Sequence, residues 1–153
     1  MAEVTEHRET RIVPYTTDLM YAVVADVEAY PQFLPWVVAL RILSRDVVGP
    51  QENITAEMAV GYRALRERYT SKVVLDAQAR TIDVAAIKGP FHTLENHWRF
   101  TPEGEGCRID FSLSFAFSSP ILAMAAGPAF GRALTKMTEA FEARAAKLSE
   151  NTP

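Results

Sequence analysis

Apolar side chains recur at every second position from Ile109 to Phe117, and Asp110, Ser112, Ser114 and Ala116 fill the gaps. Alternation of period two predicts a strand with one buried face. The same pattern sets Leu94, Asn96, Trp98 and Phe100 against Glu95, His97 and Arg99, and Ile54, Ala56, Met58 and Val60 against Thr55, Glu57 and Ala59. Leu65, Glu67, Tyr69, Ser71, Val73 and Leu75 form another inner row, with Arg66, Arg68, Thr70, Lys72 and Val74 facing outward. Ile82, Val84 and Ala86 continue the series, and Val38, Leu40 and Ile42 are expected to share one strand face. Val4 to Val13 reads as a first strand ended by Pro14. Gly49-Pro50, Asp76 to Ala79, Lys88-Gly89-Pro90 and Pro102 to Gly106 supply the turns.

Two regions follow the helical period instead. Thr17 and Asp18 are N-cap types ahead of Leu19 to Val27, and Pro31 and Pro35 break the chain around Phe33-Leu34, where a short second helix or turn fits. Ser119 as N-cap and Pro120 at the first helical position open the last helix. Its inward stripe is Phe130, Leu134, Met137, Phe141, Arg144 or Ala145, and Leu148. Gly127-Pro128 is expected to kink or break it near its start, leaving the main helix over roughly residues 129–148. The order strand, short helices, six strands, long helix predicts an α+β fold. A curved antiparallel sheet of six to seven strands would wrap around the C-terminal helix as one domain over residues 1–153, with apolar space enclosed between them.

The chain has 153 residues, 48% hydrophobic and 23% charged, with a formal net charge of −3. That size suits one core, and the acidic balance argues against a DNA-binding surface. Cys107 is the single cysteine, so no internal disulfide is expected and a reducing compartment fits. The first residues are polar with no apolar core, which predicts no signal peptide. The longest apolar run, Ile121 to Phe130, falls short of the roughly 18 residues of a spanning helix. The expected location is the cytoplasm, with any membrane contact peripheral at its inner face.

Catalytic chemistry is sparse. His7, His92 and His97 show no metal-ligand spacing, and neither a nucleophile elbow nor a phosphate-binding glycine loop occurs, so no catalytic residue and no metal are expected. The stronger signal is the surplus of large apolar side chains on inner faces. The expected ligand-binding set is Phe33, Trp36, Met58, Tyr69, Phe91, Trp98, Phe111, Phe115, Phe130 and Met137, with Met124 also counted inward. Two inward polar residues join it. Glu67 either meets a ligand's polar head or a buried water, or is a strand-end residue at a cavity mouth, or is turned outward by a register slip at Tyr62-Arg63, and Asn96 is a similar candidate. Arg63, Arg66, Arg68 and Lys72 form a basic stripe. It reads either as a solvated sheet face or as a contact for anionic lipid or RNA.

Several blocks appear in a familiar order. They are Tyr30-Pro31-Gln32-Phe33-Leu34-Pro35-Trp36, Tyr69-Thr70-Ser71-Lys72-Val73, Gly89-Pro90-Phe91, Trp98-Arg99-Phe100, Phe111-x-Leu113-x-Phe115 and Ala140-Phe141-Glu142-x-Arg144-Ala145. From about residue 4 to 148 the chain resembles the coenzyme Q-binding, COQ10-like family of the START-like (polyketide cyclase) superfamily. The resemblance implies a helix-grip fold and a non-enzymatic lipid carrier with no cofactor, holding ubiquinone for the respiratory chain. Bacterial members named as ribosome-association toxins imply a second reading, with the large ribosomal subunit as partner. A cyclase- or hydrolase-type enzyme using the same cavity is a third. One departure is Phe115-Ala116-Phe117 where the family often shows Phe-Glu-Phe; Ala116 is expected outward, so the difference concerns a surface contact.

Overall fold

The strands are β1 (Thr5–Val13), β2 (Val37–Val48), β3 (Gln51–Tyr62), β4 (Leu65–Asp76), β5 (Thr81–Lys88), β6 (Phe91–Glu103) and β7 (Gly106–Phe117), and the helices are α1 (Thr17–Ala25), α2 (Pro120–Thr135) and α3 (Met137–Glu150). This computed structural model describes residues 4–62 and 65–150. Arg63 of the basic stripe and the first three residues of the polar N-terminus lie outside the described residues, as does the side chain of Leu65. All pairings are antiparallel, in the order β1-β7-β6-β5-β4-β3-β2. Consecutive strands from β2 to β7 are hairpin neighbours, because two- to four-residue turns leave no room for a parallel crossover. The sheet curls around the C-terminal helices, the helix-grip arrangement that the pattern predicts.

The inner rows of β3, β6 and β7 lie where alternation places them: Ile54, Ala56, Leu94, Trp98, Phe100, Ile109, Phe111 and Leu113 are all buried. Phe141 is the central peg. Its ring meets Tyr30 and Phe33 at 5.2 Å each and Trp98 at 5.1 Å, edge to face.

In β2 the expected face is interrupted. Alternation groups Val38 with Leu40 and Ile42, but a register shift between Val37 and Ala39 buries Val37 to 3% and leaves Val38 64% exposed. A bulge adds one residue to one strand and so inverts the alternation on one side of it. The first helix is capped by Thr16, whose Oγ1 accepts from Leu19 N at 3.1 Å, one residue earlier than expected. The second short helix is a 3-10 turn over Val27–Gln32, ahead of Phe33-Leu34.

The C-terminal helix breaks later than its glycine and proline suggest. Residues 127–128 remain inside α2, and the break falls at Lys136, whose N–H bonds to Ala133 O at 3.2 Å before Ala140 N bonds to Lys136 O. Pro128 is exposed. The helix redirects at Lys136 so that Phe130 and Leu134 before the break, and Phe141 and Ala145 after it, all stay buried. Ala116 is a further correction. It lies opposite Thr93, beside the register shift at Phe91–Thr93, and is 1% exposed rather than outward.

Candidate functional site

Between the concave face of the sheet and α2–α3 lies a cavity of about 70 Å³. Val27, Tyr30, Leu34 and Trp36, from the segment between α1 and β2, and Val37 at the start of β2 form one wall. Leu40, Ala56, Met58, Val60, Tyr69, Ser71, Val73, Val84, Leu94, Asn96, Trp98 and Leu113 give the sheet floor. Phe130, Leu134, Met137 and Phe141 close it from the helices.

Of the side chains that the sequence proposes for ligand contact, Trp36, Met58, Tyr69, Asn96, Trp98, Phe130 and Met137 meet in this cavity. Phe33, Glu67, Phe91, Phe111 and Phe115 do not. Phe33 packs on Tyr30 and Phe141, with the Arg144 guanidinium over its ring at 5.3 Å. Phe111 is used up against Trp98 at 4.6 Å. Phe91 and Phe115 join Phe117 around the Phe130 ring, at 5.4 to 5.6 Å, and so fasten α2 to the sheet. Glu67 does pair with Val60 on the inner row, but near the strand end. It is half-buried in an outer groove with Val38, Ala59, Arg66 and Arg68. Met124 faces outward and is 83% exposed, since α2 turns only its other side to the sheet.

Tyr30, Leu34 and Ser71 are among the cavity residues missing from the expected set. Ser71 follows Tyr69 by two on the inner row, so period two already carries it. Tyr30 depends on where the 3-10 turn docks, which no local pattern encodes.

The polar atoms here differ in how fully they are engaged. Asn96 is a clip: its Nδ2 donates to Ser112 O at 3.1 Å, and its Oδ1 accepts from Trp98 Nε1 at 2.7 Å. Tyr30 donates to Val24 O at 2.5 Å. Among the described residues Tyr69 donates only to the Met58 sulfur, at 3.2 Å, and a thioether is a weak acceptor. Burial pushes the Tyr69 phenol up to about 12, and pushes Tyr30 further above the ordinary phenol range. Apart from these two tyrosines, no titratable side chain lines the cavity among the described residues.

Elsewhere the chemistry is structural. Cys107 is fully buried, and burial pushes its thiol up, away from the thiolate a nucleophile needs. His97 Nδ1 lies 2.6 Å from Asp83 Oδ1 on the exposed outer face. Arg68 of the basic stripe lies 3.6 Å from Glu57, which also meets Arg41 at 3.4 Å. No group of three metal-ligating side chains occurs among the described residues. Nor is any described helix long and apolar enough to cross a membrane.

Comparison with known proteins bears on this architecture. The model for "Polyketide cyclase / dehydrase and lipid transport" matches residues 13–142. The ribosome association toxin RatA of Rickettsia prowazekii is 36% identical over 141 residues, 90% of this chain and 94% of that protein. The mitochondrial coenzyme Q-binding protein COQ10 homolog B of Xenopus laevis is 31% identical over 148 residues, 94% of this chain and 59% of that protein. The solution structure of an 18 kDa protein from Caulobacter crescentus is 42% identical, covers 95% of this chain and 99% of that one, and superposes with a TM-score of 0.77.

Proposed function

Because the chain belongs to the polyketide cyclase / dehydrase and lipid transport family, we propose that it is a carrier which holds a polyprenyl quinone, ubiquinone above all, without transforming it. The observation that carries this reading is the apolar cavity in which, among the described residues, the Tyr69 hydroxyl has only a thioether for a partner. A quinone carbonyl is a better acceptor than sulfur, so it would take that hydroxyl, while the isoprenoid tail replaces water contacts with apolar wall at about 0.8 kcal/mol per CH₂. The relative from Xenopus named for coenzyme Q binding supports the same ligand.

The cavity of about 70 Å³ is well below the roughly 300 Å³ at which small-molecule pockets begin. Admission of a quinone therefore needs an element to move, and α2 is that element. Its described buried side chains, Phe130, Ala133 and Leu134, are all apolar and it ends at the Lys136 break, whereas α3 is tied to β1 by polar bonds, Thr138 to Glu9 at 2.8 Å and Arg11 to Glu142 at 2.8 Å. A carrier, rather than an enzyme, also suits a lining whose titratable groups are two phenols held far from neutral pH, since general acid–base work favours groups that titrate near it. The carrier would act in the cytoplasm and at the inner face of the membrane, delivering quinone to the respiratory chain.

Both tryptophans of the chain, Trp36 and Trp98, line the cavity, so a bound quinone should quench nearly all the tryptophan emission. Titration with a short-chain ubiquinone, joined to mass spectrometry of lipid extracted from the purified protein, tests the reading. Absence of both quenching and co-purified quinone overturns it.

A second reading, association with the ribosome to restrain translation, is supported by the name of the Rickettsia relative and the exposed cations Arg66, Arg68 and Lys72. Co-sedimentation with large ribosomal subunits, lost on Arg66→Glu with Arg68→Glu, is the result that would favour it.

A further inference from the structure

The 16-residue helix α2 carries a single charged side chain, Arg132, and yet half of it faces solvent. Ile121 and Met124 on that outer side are 80% and 83% exposed. A helix that is apolar all round is normally buried on all sides, so an exposed one marks a surface that something covers. The neighbouring turn has the same character. Pro90 O accepts from Ser118 N at 2.8 Å and Ser118 Oγ at 2.9 Å, which ties the β5–β6 turn to the start of α2 and brings exposed Ile87 and Lys88 to the same end of the molecule.

Charge selects the partner. The chain has 19 acidic residues in a molecule of net charge −3, yet residues 84–94 and 111–138 contain none of them. The charged groups of these two segments are Lys88, Arg132 and Lys136, all exposed. From this juxtaposition of exposed aliphatic side chains with cations, and from the absence of acids in both segments, we infer that the outer face of α2 and the β5–β6 turn dock on an anionic phospholipid bilayer. Ile87, Ile121 and Met124 enter the headgroup boundary and the cations meet lipid phosphates. A second copy of the chain fits poorly, because a two-fold contact sets a patch against itself and would bring cation to cation. RNA fits less well, since single-stranded bases stack on aromatic rings or guanidinium planes, and this face sets three exposed aliphatic side chains, Ile87, Ile121 and Met124, beside a single guanidinium, Arg132. The inference deepens the carrier reading and rests on it for its purpose: the docked element is the lid of the cavity, so the bilayer meets the part that must move.

Flotation of the full chain with vesicles tests it. Wild type should float with phosphatidylcholine vesicles containing phosphatidylglycerol, and less with phosphatidylcholine alone. Ile121→Glu with Met124→Glu should lose at least about tenfold in vesicle affinity, and Lys88→Glu about tenfold, from lost insertion and reversed charge respectively. Arg99→Glu makes the same charge change at the opposite end of β5, where Arg99 faces Thr81, and should bind as wild type. The α2 variants lie outside the cavity, so their quinone affinity in detergent should be unchanged. If wild type ignores both vesicle types, if the α2 double variant floats like wild type, or if Arg99→Glu loses as much as Lys88→Glu, the inference is overturned. It is also overturned if the double variant changes only the molecular mass in solution, or only co-sedimentation with ribosomal subunits. Flotation lost in the variants of a protein that takes up no quinone would leave the docking face standing and remove the carrier reading instead.

Discussion

The hydroxyl of Tyr69 donates to the sulfur of Met58 across 3.2 Å, from adjacent strands where the two residues face each other in register. Both side chains line the cavity, and the bond is the weakest made there by any of the polar side chains with a hydrogen bond described above.

Tyr69→Phe should therefore cost little stability and some affinity. Loss of one neutral hydrogen bond to a quinone carbonyl is expected to weaken binding by about 1 kcal/mol, or roughly fivefold. Tryptophan quenching titrations of the two proteins measure it. Since burial pushes the phenol up to about 12, it keeps its proton through neutral and mildly alkaline pH, and wild-type affinity should be flat across that range.

Asn96→Leu is expected to behave in the opposite way. It removes the donor to Ser112 O and the acceptor of Trp98 Nε1, a donor on a buried side chain. The cost should be about 1–3 kcal/mol in denaturant unfolding. An unchanged midpoint would mean that both groups find other partners.

Gly89 has φ +139°, and a Cβ there would sit 2.4 Å from the Tyr69 Cβ. Gly89→Ala should lower stability by about 1–3 kcal/mol through strain, and displace the Tyr69 ring that meets Phe91 at 5.3 Å. Thermal unfolding and quinone titration should both respond, whereas Tyr69→Phe should move mainly the second.

Acid should loosen the β1–α3 junction first. Burial alone would raise Glu9, but hydrogen bonds from Thr138, His7 and Arg11 outweigh it and hold the carboxyl below its ordinary value of 4.5. A depressed carboxyl contributes stability that is complete above the unfolded value and is lost as pH falls through the folded one. Wild type should thus destabilise more steeply than Glu9→Gln below about pH 4.5, and the two curves should run parallel above it. Urea unfolding across that range makes the comparison.

Much of this molecule follows from local chemistry. Ile109 to Phe117 can bury one face only as a strand, because side chains alternate sides at each residue. Ser119 and Pro120 start a helix wherever the chain goes next, since Ser119 Oγ accepts from Leu122 N and proline has no N–H to lose. The order of such elements and their short turns was enough for a curved antiparallel sheet gripping a C-terminal helix. Phe111 and Phe115 share inner faces with Trp98 and Tyr69, and alternation cannot separate them; Phe91 joins them only through the register shift at Phe91–Thr93. Whether an inward ring meets another ring or the cavity depends on where α2 and α3 lie, through contacts between residues far apart in the chain. The same holds for Val38, turned outward by a bulge in the β2–β3 pairing, and for the break at Lys136, placed by the need to keep Phe130 and Phe141 inward together. Periodicity thus determined which face of each strand is apolar. Only packing decided which part of that face is filled, because a void is shared among elements and belongs to none of them.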